Sequence, residues 1–149
     1  QDYGFSVDPT TLVEVAIDKD KKKLYVKERC YKKGMTTSDI FEINTLFAKD
    51  NLIIGDSAEP RLIEELSQRG NNIEPVTKGA GSINAGIAIL QDYEIIVEEN
   101  SLNIVKELNN YIYSNKSAQL YVDKDNHIID AIRYVVYQLS IRATGIYSF

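Results

Sequence analysis

Three aspartates stand where a chain of this kind can do acid-dependent chemistry. Asp2 precedes Tyr3-Gly4-Phe5, which reads as the end of a strand at the head of the chain. Asp56 follows Leu52-Ile53-Ile54-Gly55, an unbroken apolar run of the kind a buried parallel strand needs. It therefore emerges at the carboxyl end of that strand, where α/β sheets build their sites. Asp130 sits among Ile128, Ile129, Ala131 and Ile132, where a carboxylate is costly unless it meets a cation. Two strands and a helix that bring these three together make an all-oxygen site, suited to Mg²⁺ or Mn²⁺ and not to Zn²⁺. Two such ions about 3.5–4 Å apart can clamp the attacking and leaving oxygens of a phosphodiester. Taken singly, each aspartate also has a plainer role. Asp2 reads as a terminal residue, Asp56 as a turn former, and Asp130 as a first-turn acid favoured by the helix dipole.

Other chemistries find little support. Cys30 and His127 are the single cysteine and histidine of the chain, which excludes an internal disulfide framework and argues against a thiolate zinc site. There is no nucleophile elbow. Lys78-Gly79-Ala80-Gly81-Ser82 has the residues of a phosphate loop in the wrong order for a Walker motif. No apolar run approaches the roughly 18 residues of a membrane span. A length of 149 residues with 44% hydrophobic and 26% charged content fits one globular domain spanning 1–149. The formal charge of −5 counts against nucleic acid as a whole-chain number. It is unevenly spread: residues 19–33 hold eight basic and two acidic residues, a net +6. That stretch reads either as a solvated hairpin tip guarding a sheet edge or as a phosphate-contacting rim beside an acidic centre.

The elements that must position the aspartates follow from periodicity. Residues 11–17 and 24–30 alternate as strands about the polar turn Asp18-Lys19-Asp20-Lys21, which predicts a hairpin. Residues 37–48 predict a helix capped by Thr37 or Ser38, with Ile40, Phe41, Ile43, Leu46 and Phe47 on its apolar face. After the strand at 51–55, Pro60 opens a helix that Gly70 closes. Ile73–Val76 and Glu94–Val97 read as strands, and Ser82–Leu90 as a helix. Ser101 is expected to cap a helix burying Leu102, Val105, Leu108 and Ile112. A strand at 118–122 and a turn at Asp123–Asn126 precede a last helix over 127–139, and the final ten residues read as a loose tail. A hairpin followed by βα units predicts a mixed α/β sheet.

Three segments carry a resemblance. Asp2-Tyr3-Gly4-Phe5 with Asp8-Pro9-Thr10, then Gly55-Asp56-Ser57-Ala58-Glu59-Pro60, then Asn126-His127-Ile128-Ile129-Asp130-Ala131-Ile132-Arg133-Tyr134 resemble, in this order, the nuclease domain of the large terminase subunit of tailed bacteriophages. The resemblance implies a ribonuclease H-like fold, an α/β mixed sheet flanked by helices. It implies a DNA endonuclease that cuts concatemeric viral DNA during packaging with two Mg²⁺ or Mn²⁺ ions, Asp2 bridging both and Asp56 and Asp130 each completing one. His127 matches a histidine that would orient a metal-bound water or touch DNA, and at i, i+3 it would share a helix face with Asp130. Lys78, with Gly79 and Ser82, would contact a phosphate, and Lys21, Lys22 and Lys23 would supply a basic rim.

Implied partners are double-stranded DNA, the ATPase motor of the same subunit, the small terminase subunit and the portal. No membrane is implied, and the place of action would be the host cytoplasm. The chain opens on Gln1 and not Met, and is expected to be a piece of a longer protein. A ribonuclease H-like resolvase or recombinase, and a non-catalytic docking module of the packaging machine, are the alternatives.

Overall fold

The computed structural model describes residues 1–114 and 125–143, the side chains of 112–114 excepted. Its elements in chain order are β1 (Thr10–Asp18), β2 (Lys23–Lys32), α1 (Thr37–Phe47), β3 (Ile53–Gly55), α2 (Pro60–Gln68), β4 (Ile73–Pro75), α3 (Ser82–Gln91), β5 (Glu94–Val97), α4 (Leu102–Ser114) and α5 (His127–Ala143). β1 and β2 form the expected antiparallel hairpin, with a bulge at Leu12/Val13, and β5 adds to β2 in parallel. β3 and β4 pair in parallel as a second sheet. Among the described residues no helix is long and apolar enough to cross a membrane.

Residues 1 and 2 stitch the two sheets. The Asp2 N–H and C=O pair with Thr11 of β1 at 3.3 and 2.9 Å. On the other side, the Gln1 nitrogen donates to the Ile54 carbonyl at 2.7 Å and the Asp56 N–H donates to the Gln1 carbonyl at 3.1 Å. The Gln1 side chain is locked by a buried amide network. It exchanges bonds with Asn44 of α1 at 2.8 and 3.1 Å, and Asn44 donates to Asn71 at 3.0 Å. Each amide satisfies its neighbour, as burial requires. The strand expected over 2–5 is therefore a single bridge. A Cβ at Gly4 would stand 2.1 Å from the Asp8 carbonyl oxygen, and the Thr10 hydroxyl bonds both the N–H and the C=O of Gly4. The chain folds back on itself there and leaves the sheet.

The apolar run before Asp56 is explained by layers. Ile53 packs with Met35, Ile40, Ile63 and Leu66 beneath α1 and α2. Its neighbour Ile54 faces the opposite way, onto Val76 and Tyr134. A strand covered on both faces needs apolar residues on both. The larger core lies between β1–β2 and α5, where Leu24 and Val26 meet Ile128, Ile129 and Ile132.

Several local expectations shift. Thr36, not Thr37 or Ser38, caps α1: its hydroxyl accepts the Asp39 N–H at 3.2 Å while Asp39 accepts the Thr36 N–H at 2.8 Å. Only Thr36 has an acid three residues on, which is what a capping box needs. Leu46 is 62% exposed, because the amide network claims Asn44 for the inner face of α1. In α4, Leu102 is 71% exposed and Ile104 is buried instead. Ser101 does not supply a free cap there. Its hydroxyl accepts the Glu28 N–H at 2.9 Å and donates to Glu98, while Glu28 of β2 accepts the Asn103 N–H at 3.1 Å. The last helix runs four residues past 139, so the start of the expected tail is helical. The expected strand at 118–122 and Ile112's side chain lie outside the described residues.

Thr36→Ala should remove the hydroxyl that accepts the Asp39 N–H, leaving the Thr36 N–H bond to Asp39 in place, and destabilise the fold by about 1 kcal/mol. Urea unfolding is expected to give a lower midpoint at unchanged slope. An unchanged midpoint would assign the α1 start to packing alone.

Candidate functional site

Asp2, Asp56 and Asp130 arrive by the three routes the sequence suggested. Asp2 is held at the seam between the sheets and is buried. Asp56 leaves the carboxyl end of β3. Asp130 lies in the first turn of α5, its N–H bonded to the Asn126 carbonyl at 2.8 Å. All three act electrostatically on one group, the phenol of Tyr134. Burial first, and then the charges of Asp130, Asp2 and Asp56, push that phenol far above its usual range. Tyr134 is one turn beyond Asp130, at i, i+4 on the same face of α5.

Each carboxylate is paired with a basic side chain of the chain. His127 Nδ1 stands 3.1 Å from Asp2 Oδ2, and its Nε2 stands 3.5 Å from Asp8 Oδ1. The bond to Asp2, and then the charges of Asp2 and Asp8, raise the imidazole above its ordinary value against the pull of partial burial. Asp56 Oδ1 accepts the Lys78 ammonium and the Ala58 N–H, the latter at 3.0 Å. Partial burial pushes the Asp56 carboxyl up, but Lys78, the Ala58 N–H and the Tyr134 hydroxyl together outweigh it and leave it below the usual carboxylate range. Asp130 Oδ1 accepts Arg133 Nε at 3.1 Å and Nη2 at 2.9 Å. Lys78 and Arg133 also stand 5.2 and 5.0 Å from the centre of the Tyr134 ring, within cation–π range.

His127 thus turns to Asp2 and Asp8, while Asp130 on the same helix turns to Arg133. In this arrangement no three of the described His, Cys, Asp and Glu residues stand together closely enough to hold a metal ion, because the carboxylates are turned onto the chain's own cations. The donor set itself fits a hard divalent ion, being carboxylate oxygen throughout. A further donor waits nearby: the Tyr3 hydroxyl is buried with no hydrogen-bond partner among the described residues. It lies against Gly55, where a Cβ would come within 2.6 Å of it, and it feels Asp56 and Asp2. A cavity of about 410 Å³ opens beside Asp130, lined by Gly79, Ser82, Asn84, Asn126 and Arg133 among others.

Lys21, Lys22 and Lys23 are not brought to this place. Asp2 pairs with Thr11, and the hairpin tip lies seven residues further along β1, about 24 Å away at ~3.4 Å per residue. Lys22 there bonds Asp92 at 2.7 Å and Lys23 stands 3.8 Å from Glu94. Lys22 and Lys23 therefore tie the hairpin tip to the neighbourhood of β5, and the tip does not rim the acidic centre; the other end of the basic stretch, at Lys32, pairs with Thr10 beside the Asp2 bridge.

Glu107 was invisible in the sequence. It is 3% exposed, and its Oε2 accepts the N–H groups of Ile128 and Ile129 at 2.8 and 3.1 Å. It caps α5 from α4, twenty residues upstream, so no local spacing announces it. Burial pushes its carboxyl up to about 7 against the pull of those two N–H groups and of His127.

The family model described as the terminase RNase H-like domain matches residues 2–138. The large terminase subunit of Bacillus phage SPP1 is 33% identical over 144 residues, covering 89% of this chain and 34% of that protein. The chain thus spans about a third of the length of the curated relatives it matches. Among solved structures, the large terminase nuclease domain of bacteriophage SPP1 with bound Mn superposes with a TM-score of 0.71 at 31% identity, covering 89% of this chain and 80% of that one. The P22 large terminase nuclease domain gives 0.72 at 18% identity, with 94% and 78% covered, a likeness of fold.

The raised carboxyl of Glu107 has a sign that can be checked. Its folded value lies above its unfolded one, so its contribution is complete below about 4.5 and is lost as pH rises through about 7. Glu107→Gln keeps an acceptor for the two N–H groups and cannot ionise. Its unfolding free energy relative to wild type should rise between about pH 5 and pH 8, by on the order of 2 kcal/mol. Parallel stability curves for the two proteins would contradict the buried, raised carboxyl.

Proposed function

The chain belongs to the terminase family, as an RNase H-like nuclease domain of the large subunit, and on that premise we propose that it is a divalent-metal-dependent endonuclease that cuts concatemeric viral DNA during genome packaging. The observation that carries this reading is that the fold gathers the three aspartates: the Gln1 carbonyl beside Asp2 accepts the Asp56 N–H, and the cations paired with Asp56 and Asp130 both stand over the Tyr134 ring. The bound Mn of the SPP1 nuclease domain lends support, since that protein shares 31% of its residues with this one.

Asp2, Asp56 and Asp130 would hold two ions, Mg²⁺ or Mn²⁺, with Asp2 shared between them. When bound, such ions make water acidic enough to supply a nucleophile at neutral pH and neutralise the charge that develops on a phosphodiester. The chain's own residues do the rest. The seam at residues 1 and 2 fixes the Asp2 backbone between the sheets. His127, bracketed by Asp2 and Asp8, would hold a proton on Nε2 at the exposed side of the site. Lys78 would contact a phosphate of the DNA backbone, beside the cavity lined by Gly79 and Ser82. Contacts to phosphates position a duplex without reading its sequence. Double-stranded DNA, the ATPase motor, the small subunit and the portal are the proposed partners, and the host cytoplasm the place.

Incubation of the chain with supercoiled plasmid and Mn²⁺ tests the reading. Nicked and linear products are expected, and a chelator should abolish them. Asp56→Asn should lower the rate by at least about 100-fold, more than loss of an outer-shell partner causes. Equal cleavage by wild type and Asp56→Asn would sink the assignment.

A further inference from the structure

The three basic side chains that pair with the acidic centre are held in different ways. The stem of Arg133 lies against α3 at Gly86, where a Cβ would meet its Cγ at 2.5 Å and its Cδ at 2.9 Å. Its guanidinium is thereby wedged onto Asp130, and the residue is 6% exposed. His127 belongs to the first turn of α5 and has a carboxylate at each ring nitrogen. Both are enclosed members of α5.

Lys78 is different. It belongs to no helix or strand and follows β4 on a loop. The loop is anchored one residue earlier, where the Thr77 N–H donates to Gln138 of α5 at 2.8 Å. Beyond Lys78 the backbone is open, since a Cβ added at Gly79 or Gly81 would meet nothing within 4 Å. The Lys78 side chain is 41% exposed and that of its partner Asp56 only 14%. Its ammonium is thus the outermost of the three cations, laid over a carboxylate that is itself well enclosed.

Resting on the nuclease reading of this site, we propose that Lys78 is an exchangeable counter-ion. It holds Asp56 while the site lacks a divalent ion, yields that carboxylate when one arrives, and is released to bind a phosphate of the DNA backbone. The chemistry suits lysine. Its ammonium is a compact point charge on a flexible stem, and it is readily rehydrated on leaving. The ammonium end of the pair is open to water, which solvates it as it leaves, whereas the doubly charged competitor gains twice the Coulomb attraction at the same enclosed oxygen. Until Lys78 leaves, Asp56 Oδ1 is occupied by its ammonium and by the Ala58 N–H. Arriving ion and arriving DNA then assist one another, as linkage requires of two ligands that favour the same state. The ion frees the cation that DNA uses, and DNA holds that cation away from Asp56.

Two measurements test this. The first is calorimetric titration of the chain with Mn²⁺ in the absence of DNA, for wild type, Lys78→Met, Lys78→Arg and Asp56→Asn. Lys78→Met should bind Mn²⁺ several-fold more tightly than wild type, because the competing charge is gone, while Lys78→Arg, which keeps it, should not. The second is anisotropy of a short labelled duplex across a salt series, with Ca²⁺ and with chelator. Lys78→Met should make the logarithmic salt slope shallower by about 0.9, one phosphate contact, with Ca²⁺ only. If Mn²⁺ uptake depends on Asp56 but Lys78→Met binds no more tightly than wild type, the exchange is overturned and the site reading stands. A slope that changes equally with and without Ca²⁺ also overturns the exchange. Mn²⁺ uptake that is absent, or that is untouched by Asp56→Asn, overturns the site reading and the exchange together.

Discussion

Asp56 and Asp130 are paired with cations that share the Tyr134 ring, and Asp2 follows the Gln1 carbonyl that holds the Asp56 N–H, so three enclosed like charges are gathered here and repel one another. The neighbourhood is arranged around that repulsion. His127, Lys78 and Arg133 each take one carboxylate. The face of Tyr134 is flanked by two of these cations, and its hydroxyl serves Asp56. Gly86 lacks a side chain so that Arg133 can lie flat beneath Asp130. Buried charges are tolerable when paired and bonded, and the pairing here reaches into α3, α5 and the loop after β4. One unit of acidic chemistry therefore sets the identity of residues in three separate segments.

Position is supplied by backbone. Gln1 and Asp2 bond β1 on one side and β3 on the other, so the carboxylate of Asp2 is placed by two sheets at once. The ring of two bonds between Gln1 and Asn44, extended by Asn44 to Asn71, secures the same point from α1. Glu107 does for α5 what that ring does for Asp2. By bonding the Ile128 and Ile129 N–H groups it sets where α5 begins, and with it the placement of His127 and Asp130. A site built on pinned strand ends and a capped helix start is held more closely than one built on loops. Lys78, the member that does sit on a loop, is the one least tied down.

Much of this was legible in the chain. The hairpin, the doubly covered strand before Asp56, the helix from Pro60 and the helix carrying Asp130 all come from period and punctuation, which are local. The three aspartates were legible too, because their motifs lie within a few residues of each. What escaped depends on partners far along the chain. Leu46 fits an apolar face by spacing, yet it is Asn44 that turns inward, since its amide partners are Gln1 and Asn71. Ser101 looks like a cap, but Glu28 from a strand 75 residues earlier takes the Asn103 N–H. The lysines at 21–23 were readable as charge, while their distance from the acidic centre depends on the pairing of Asp2 with Thr11 at the far end of the hairpin.

The chain alone determined the element types, the mixed α/β class, the oxygen-only chemistry of the candidate site and, through three short motifs, the family. These rest on neighbours in sequence: side-chain period, turn residues and the company each aspartate keeps. Only the tertiary structure decided which cation answers which acid, that Tyr134 is the point where the acids meet, that Glu107 starts α5 from behind, and that the lysine-rich tip is turned away. Those are contacts between residues tens of positions apart. Charge and hydrogen bonding act through space, and space is settled only when the sheets and helices have packed.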